Sequence, residues 1–265
     1  MIASFSDTGK GKQTIVFLHG LGLNRNFWNA VISELSHQFR CISIDLPGHG
    51  QSTDIITDGR MSSYAAEVRK VIDHLALRNF VLCGHSLGGQ ISIILSLQLS
   101  ASVEQLILVA SAGLETFTPE EATKLKAATQ HIYRNPIAAE ALKHAFPLLS
   151  KEKLELLMFE HITQQQQNFT LFSNLICNSV CGMLEEPVFN YLPHLTMPVH
   201  LIYGTNDTAI PNRILHPQLT VTQLAQSASS QIPRSNIQII PGCGHYLPVE
   251  NPTIITTAIK KMSDQ

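Results

Sequence analysis

The 265-residue chain is poor in charge: Asp, Glu, Lys and Arg make up 14% of it, and 18 basic against 20 acidic residues leave a formal net charge of −2. An average soluble chain carries roughly 25% charged residues. Nucleic-acid surfaces and polybasic membrane anchors need clustered Lys and Arg to neutralise phosphate, so neither nucleic acid nor a membrane is expected as a partner. The 44% hydrophobic content excludes a disordered chain.

Cysteine is also scarce. The five cysteines are an odd number in a chain of this size, which is typical of free thiols in a reducing compartment. Cys177 and Cys181 lie four residues apart without a second pair of ligands, so no metal is expected. The N-terminus lacks a basic region followed by an apolar one, and no apolar run reaches the ~18 residues of a membrane span. The sequence therefore predicts a cytoplasmic protein without a cofactor.

Short runs rich in Ile, Val and Leu alternate with stretches of helical spacing. Near-continuous apolar runs are typical of strands buried on both faces of a parallel sheet. Their alternation with helices predicts a doubly wound α/β fold. The predicted strands are Ile15–Leu18, Cys41–Leu46, Phe80–Cys83, Gln105–Val109, Val199–Tyr203 and Ile237–Ile240, and the predicted helices are Phe27–Leu35, Tyr64–Leu77 and Leu87–Leu99.

The alternation stops after Ala112, and a mostly helical pattern follows until the next predicted strand. Because this segment lies between two strands of the sheet, we interpret it as an insertion over one edge of the fold. The sequence thus predicts a core formed by residues 1–113 and 196–265, with residues 114–195 as a helical cap.

Two helix starts are predicted inside this cap. Thr118-Pro119-Glu120-Glu121 has the pattern of a capping box with proline at the first helical position. Ser150 before Lys151–Phe159 indicates a second start. The apolar residues of the cap suit a private helical core as well as a substrate wall.

The segment Gly84-His85-Ser86-Leu87-Gly88 matches G-x-S-x-G, in which a serine occupies a sharp turn between a strand and a helix. Glycine is needed on either side because the strained turn brings backbones too close for a Cβ. The predicted strand Phe80–Cys83 precedes the motif, and a helical pattern over Gly89–Leu95 follows it. This context favours a nucleophilic serine over an ordinary glycine-rich turn.

A serine nucleophile needs a base, and that base needs a carboxylate to hold its tautomer. Tyr203–Asp207 places an aspartate just beyond a predicted strand, and Pro241–His245 places a histidine in a glycine-rich loop beyond the last one. Ligands of open α/β sheets bind outside the carboxyl ends of the strands. Ser86, Asp207 and His245 are therefore predicted to converge as a catalytic triad.

The order serine, aspartate, histidine is that of α/β-hydrolases, and the chain resembles α/β-hydrolase-fold serine hydrolases over essentially its whole length. The matching motifs are Leu18–Gly22, Asp45–Ser52, Gly84–Gly88, Gly204–Asp207 and Gly242–His245 followed by Glu250-Asn251-Pro252. The resemblance implies an α/β-hydrolase fold, with a mostly parallel central sheet flanked by helices and an inserted helical cap. It also implies an oxyanion hole made by the backbone N–H groups of Leu21 and Leu87, whose side chains would line the pocket.

Other polar and aromatic residues near these motifs are interpreted as structural. His85 adjoins the predicted nucleophile but is expected to point away from it and pack. His19 and His49 are expected to bond loop backbone, and Asp45 to tie down its own glycine-rich loop. Trp28 is predicted to belong to the core.

Several reactions suit this layout. A serine at position 86 disfavours epoxide hydrolases and haloalkane dehalogenases, which use an aspartate there. We expect a carboxylic ester hydrolase that acts on a small-molecule ester with a small or medium acyl group. The alternatives are a C–C bond hydrolase of the meta-cleavage type, a lactonase and a carrier-protein methyl ester esterase. A non-catalytic ligand-binding protein of this fold is less favoured because all three triad residues are present.

Two features bear on the choice of substrate. Gly20–Asn24 with Phe27-Trp28 is similar to esterases that demethylate pimeloyl carrier-protein methyl ester, but those grip their partner with cap arginines and this cap has only Arg134. Thr208–Pro233 is longer than one crossover helix needs, and its Pro211–Pro217 stretch is placed to reach the pocket mouth. No chemical role follows for that loop from the sequence.

Overall fold

The computed structural model describes residues 1–134 and 168–263. Seven strands form one sheet in the order β1-β3-β2-β4-β5-β6-β7, in which β1 pairs antiparallel with β3 and all other pairs are parallel. The strands are β1 Phe5–Thr8, β2 Thr14–Leu18, β3 Arg40–Ile44, β4 Phe80–His85, β5 Val103–Val109, β6 Val199–Gly204 and β7 Ser235–Ile240. The predicted, mostly parallel α/β-hydrolase sheet is confirmed.

Eight α-helices lie within the described ranges. They are α1 Asn29–Leu35, α2 Met61–His74, α3 Leu87–Gln98, α4 Pro119–Arg134, α5 Phe169–Glu185, α6 Val221–Gln231, α7 Leu247–Glu250 and α8 Pro252–Ser263. The helix predicted over Lys151–Phe159 lies outside the described residues. In the part of the chain that is described, no helix is both long enough and apolar enough to cross a membrane.

The burial of each strand explains why some strands were predicted from the sequence and β1 was not. Every residue of β2, β4 and β6 is buried, as expected for strands covered on both faces. β1 was not predicted, because its four residues at the sheet edge are half-buried or exposed and give no apolar run. Trp28 is fully buried beside Phe17 and Phe27, with ring centroids 5.0 and 5.4 Å away, so its predicted place in the core is confirmed.

The described part of the predicted cap contains α4 and α5, which pack against each other, and a short 3-10 helix, Phe189–His194. The capping box is confirmed: the Thr118 N–H donates to the Glu121 carboxylate (2.8 Å), and the Glu121 N–H donates to Thr118 Oγ1 (3.2 Å). Gln90 Nε2 on α3 donates to the carbonyl oxygens of Met183 (3.0 Å) and Glu186 (2.9 Å). The C-terminal end of α5 is thereby fixed above the helix that follows β4. The boundaries 114 and 195 stay a prediction.

Candidate active site

Ser86 occupies the sharp turn between β4 and α3, with φ +52° and ψ −119°. A non-glycine residue holds such a conformation only where its surroundings impose it. Here the Ser86 N–H donates to the carbonyl of Val109 at 3.1 Å. A Cβ added at Gly84 would lie 2.4 Å from the Gly88 carbonyl oxygen, and one at Gly88 would lie 2.5 Å from that of His19. The prediction that close backbones require both glycines is confirmed.

Asp207 and His245 are joined by a hydrogen bond that orients the imidazole ring. The Nδ1–H of His245 donates to Asp207 Oδ2 at 2.8 Å, and Asp207 is fully buried. Its other oxygen, Oδ1, accepts from the N–H groups of Ala209 (2.8 Å) and Ile210 (2.9 Å). Because a neutral imidazole carries one proton, Nδ1–H leaves Nε2 of His245 free to accept a proton.

Ser86 and His245 line one cavity of about 290 Å³. Asp207 lies behind His245 and supports it from the core side. The structure therefore brings the three residues of the predicted triad to one place. Much of the wall is apolar and comes from the predicted cap. Its apolar members include Phe117, Leu125, Val180, Met183, Leu184 and Pro187.

The two predicted oxyanion donors flank the serine turn. Leu87 is the first residue of α3, and the N–H groups of a first helical turn have no acceptor within their own helix. Leu21 follows Gly20, where an added Cβ would lie 2.7 Å from His85 Nδ1, so this loop runs close against the turn. The expectation that the Leu87 side chain lines the pocket is wrong, because that side chain is fully buried in the core.

His85 contacts the histidine of the site directly. Its Nε2–H donates to the main-chain carbonyl oxygen of His245 at 2.9 Å, and the two ring centroids lie 4.8 Å apart. Its ring also packs on Phe27, with centroids 4.6 Å apart. Burial, together with the nearby His245, lowers the pKa of His85 well below its usual value. The predicted packing role is confirmed, but no sequence pattern indicates the bond to a residue 160 positions away.

His19 and His49 brace the loops around the site. Nε2 of His19 accepts from the Leu46 N–H at 3.0 Å, and Nε2 of His49 accepts from the Gly22 N–H at 3.1 Å. His19 Nδ1–H donates to the carbonyl of Gly20 at 2.8 Å. Burial lowers the pKa of His19 to about 4, although the bond to Gly20 opposes the shift. Both rings bond loop backbone, as predicted.

Asp45 holds the glycine-rich loop that follows β3. Its Oδ2 accepts from the Gln51 N–H (3.0 Å) and from Arg25 Nη1 (2.7 Å), while Oδ1 accepts from the Arg25 N–H (2.8 Å). The predicted structural role is confirmed. Sequence reasoning missed Arg25, which joins a second loop to this carboxylate.

Sequence reasoning also missed Glu115, an acid in the cavity wall. The Asn212 N–H donates to the Glu115 carboxylate, with both oxygens 3.0 Å away. The Pro211–Pro217 stretch predicts a loop near the pocket mouth. Asn212 of this loop does line the cavity. Nothing in the sequence connected that loop to Glu115.

Three comparisons agree with this architecture. The family model for the α/β hydrolase fold matches residues 13–252. The chain is 28% identical over 248 residues to a pimeloyl-[acyl-carrier protein] methyl ester esterase of Nitrosomonas europaea, covering 90% of both chains. It is 26% identical to a 2-hydroxy-6-oxononadienedioate/2-hydroxy-6-oxononatrienedioate hydrolase of Pseudomonas sp, covering 91% of this chain and 84% of the relative.

A thermophilic esterase from Thermogutta terrifontis has a similar solved structure, with a TM-score of 0.77 and 25% identity over 98% of this chain and 92% of that one. The family match spans nearly the whole chain, and these relatives are hydrolases. The fold, the strained serine and the family match lead to one conclusion: the chain belongs to the α/β hydrolase fold family and is a hydrolase of that superfamily.

Proposed function

We propose that the protein is a serine carboxylic ester hydrolase that acts on esters with a small or medium acyl group. The observation that carries the proposal is the arrangement of three side chains. His245 directs Nδ1–H at the buried Asp207, and it lines the same cavity as Ser86. This is the set of parts that activates a serine hydroxyl.

In the first half of the reaction, Ser86 Oγ attacks the ester carbonyl carbon while His245 Nε2 takes the hydroxyl proton. Asp207 stabilises the imidazolium that forms. The backbone N–H groups of Leu21 and Leu87 stabilise the oxyanion of the tetrahedral intermediate. The intermediate then expels the alcohol, which leaves with the proton from His245, and an ester bond joins the acyl group to Ser86.

In the second half, a water molecule attacks the acyl-Ser86 ester and gives its proton to His245 Nε2. The intermediate breaks the bond to Ser86 Oγ, which recovers its proton from the imidazolium. The carboxylic acid leaves and the free enzyme is restored. Both steps use the chain's own groups and water.

The cavity supports a small or medium acyl group. Its volume of about 290 Å³ lies just below the range of ordinary ligand pockets, which run from roughly 300 to 1,000 Å³. The names of the Nitrosomonas and Thermogutta proteins describe esterases, which also favours ester hydrolysis here.

A second candidate is hydrolysis of a C–C bond, which the similarity to the Pseudomonas hydrolase favours. Such a reaction would use the same serine, base and oxyanion donors. The two candidates can be separated by assaying one preparation with a carboxylic ester and with a vinylogous diketone. A much higher kcat/KM for the ester supports ester hydrolysis, and a much higher value for the diketone supports C–C bond hydrolysis.

A fluorophosphonate probe tests the serine chemistry. We expect stoichiometric labelling of the wild type and no labelling of Ser86→Ala. Ser96→Ala is the matched control: it removes a fully buried hydroxyl from the same helix, α3, and should be labelled like the wild type. A folded wild-type protein that resists the probe would overturn the proposal.

A further inference from the structure

A carboxylate stands in the wall of the otherwise largely apolar cavity. Glu115 lines the cavity together with Ser86 and His245, and its side chain is only 7% exposed. Both of its oxygens accept the Asn212 N–H, and Oε1 also accepts from His216 Nδ1 at 2.5 Å. A buried carboxylate that accepts hydrogen bonds at both oxygens is fixed in direction.

The groups behind Glu115 keep it in place. His216 stands between two acids, with Nε2 3.3 Å from Glu121 Oε1, and its ring stacks on Phe117 with centroids 5.3 Å apart. Burial would lower the pKa of His216, but its bonds to Glu115 and Glu121 and their charges raise it above the usual value. This gives the loop after β6 a role: it places Asn212 in the cavity wall and His216 behind Glu115.

The charged side chains in the described cavity wall are of one sign, negative. Among the described residues that line the cavity, Glu115 is the only Asp, Glu, Lys or Arg. An anionic group on a bound substrate would meet a fixed negative charge in a poorly solvated space, where like charges repel more strongly than in water. A neutral or cationic group would meet no such repulsion.

We propose that Glu115 is a specificity-determining residue, which makes the cavity reject acyl chains that end in an anionic group and accept those that end in a neutral or cationic one. The inference rests on the proposed ester hydrolysis and narrows its substrate class to esters of uncharged or cationic acids. Repulsion of a like charge is a common way in which sites discriminate between ligands of equal size.

Three p-nitrophenyl esters with six-carbon acyl chains test the inference on the wild type: the hexanoate, the adipate monoester and the 6-aminohexanoate. They end in a methyl, a carboxylate and an ammonium group. At pH 7.5 we expect kcat/KM for the adipate monoester to be at least about tenfold below that for the hexanoate, while the 6-aminohexanoate stays close to the hexanoate or above it. Equal values for the adipate monoester and the hexanoate would overturn the inference without any variant.

Two substitutions separate charge from structure. Glu115→Gln keeps the shape and an acceptor oxygen but removes the charge, so the preference for hexanoate over the adipate monoester should fall at least about fivefold. Glu115→Asp keeps the charge and should retain most of the preference. A preference that survives in folded Glu115→Gln would contradict the assignment.

Glu121→Gln is the matched control. It removes a carboxylate from the other side of the same His216, outside the cavity wall, and Gln still suits the capping box of α4. We expect its preference to stay within about twofold of the wild type, since surface charges are screened by solvent.

The assays distinguish a failure of the proposed ester hydrolysis from a failure of the role assigned to Glu115. A folded wild type that hydrolyses none of the esters and resists the fluorophosphonate probe contradicts the proposed function itself. A wild type that hydrolyses the hexanoate but does not discriminate against the adipate monoester contradicts only the role of Glu115.

Discussion

The Nε2–H of His85 donates to the main-chain carbonyl oxygen of His245 at 2.9 Å. His85 is the last residue of β4 and directly precedes Ser86, so one hydrogen bond ties the serine turn to the loop that carries the histidine. The His85 ring is almost fully buried and packs on Phe27. The relative position of Ser86 and His245 thus depends on His85, which is not among the described residues that line the cavity.

Loss of this bond should lower kcat more than it changes KM. In His85→Leu the carbonyl of His245 loses its donor, and we expect kcat for p-nitrophenyl hexanoate to fall about tenfold or more, because small misplacements of a base are costly. His85→Gln offers an amide N–H in place of Nε2–H and should recover much of the rate. If folded His85→Gln were as impaired as His85→Leu, packing alone would explain the residue.

Buried neutral His19 should make the protein sensitive to acid. Its pKa of about 4 in the fold lies below the 6.5 of an exposed histidine, so the unfolded chain binds a proton that the folded one does not, and stability falls as pH drops below 6.5. Between pH 7.5 and 5.0 the free energy of unfolding should drop by about 2 kcal/mol more in the wild type than in His19→Gln.

Urea titrations at the two pH values measure this difference. Gln is the matched replacement because its amide oxygen can accept the Leu46 N–H as His19 Nε2 does. Parallel pH dependence in the two proteins would show that His19 is not the group responsible.

The contribution of His216 to stability should depend on pH in the opposite sense to that of His19. Its pKa is raised because the attraction of Glu115 and Glu121 outweighs burial, so its contribution is fully present below pH 6.5 and is lost as pH rises through the raised pKa. His216→Asn keeps an N–H near the position of Nδ1 but cannot carry a charge. The Tm of this variant should therefore lie further below that of the wild type at pH 6 than at pH 9, as measured by scanning calorimetry. An equal deficit at both pH values would contradict the charged pairing.

The sequence predicted those parts of the fold and site that local pattern determines. Near-continuous apolar runs predicted the buried strands, and glycines at fixed spacing predicted the serine turn. The edge strand β1 gave no such run, because two of its four residues are exposed, the other two are half-buried and three of the four are polar. The partners of His85 and Glu115 lie 160 and about 100 residues away, and only the fold brings such residues together. Contacts between residues so far apart in the chain produce no periodic pattern in the sequence, so sequence analysis could not predict them.

The tautomer of His245 gives the sharpest test of the site. In Asp207→Asn the two N–H groups of Ala209 and Ile210 still require an acceptor, so the amide oxygen should take the place of Oδ1. The amide NH₂ then points at His245 Nδ1, which must accept rather than donate. The proton moves to Nε2, and the base that Ser86 needs is lost, which should lower kcat about 10³- to 10⁴-fold with the fold intact.

Asp45→Asn is the matched control for this substitution, since it neutralises another buried aspartate that holds a loop through backbone N–H groups and Arg25. It should lower Tm but leave kcat on p-nitrophenyl hexanoate within about fivefold of the wild type, because only partners of the reacting groups bear on the chemical step. Asp207→Asn should show the reverse, a large loss of kcat with a small change in Tm. A rate for folded Asp207→Asn within tenfold of the wild type would mean that Asp207 does not set the protonation of His245.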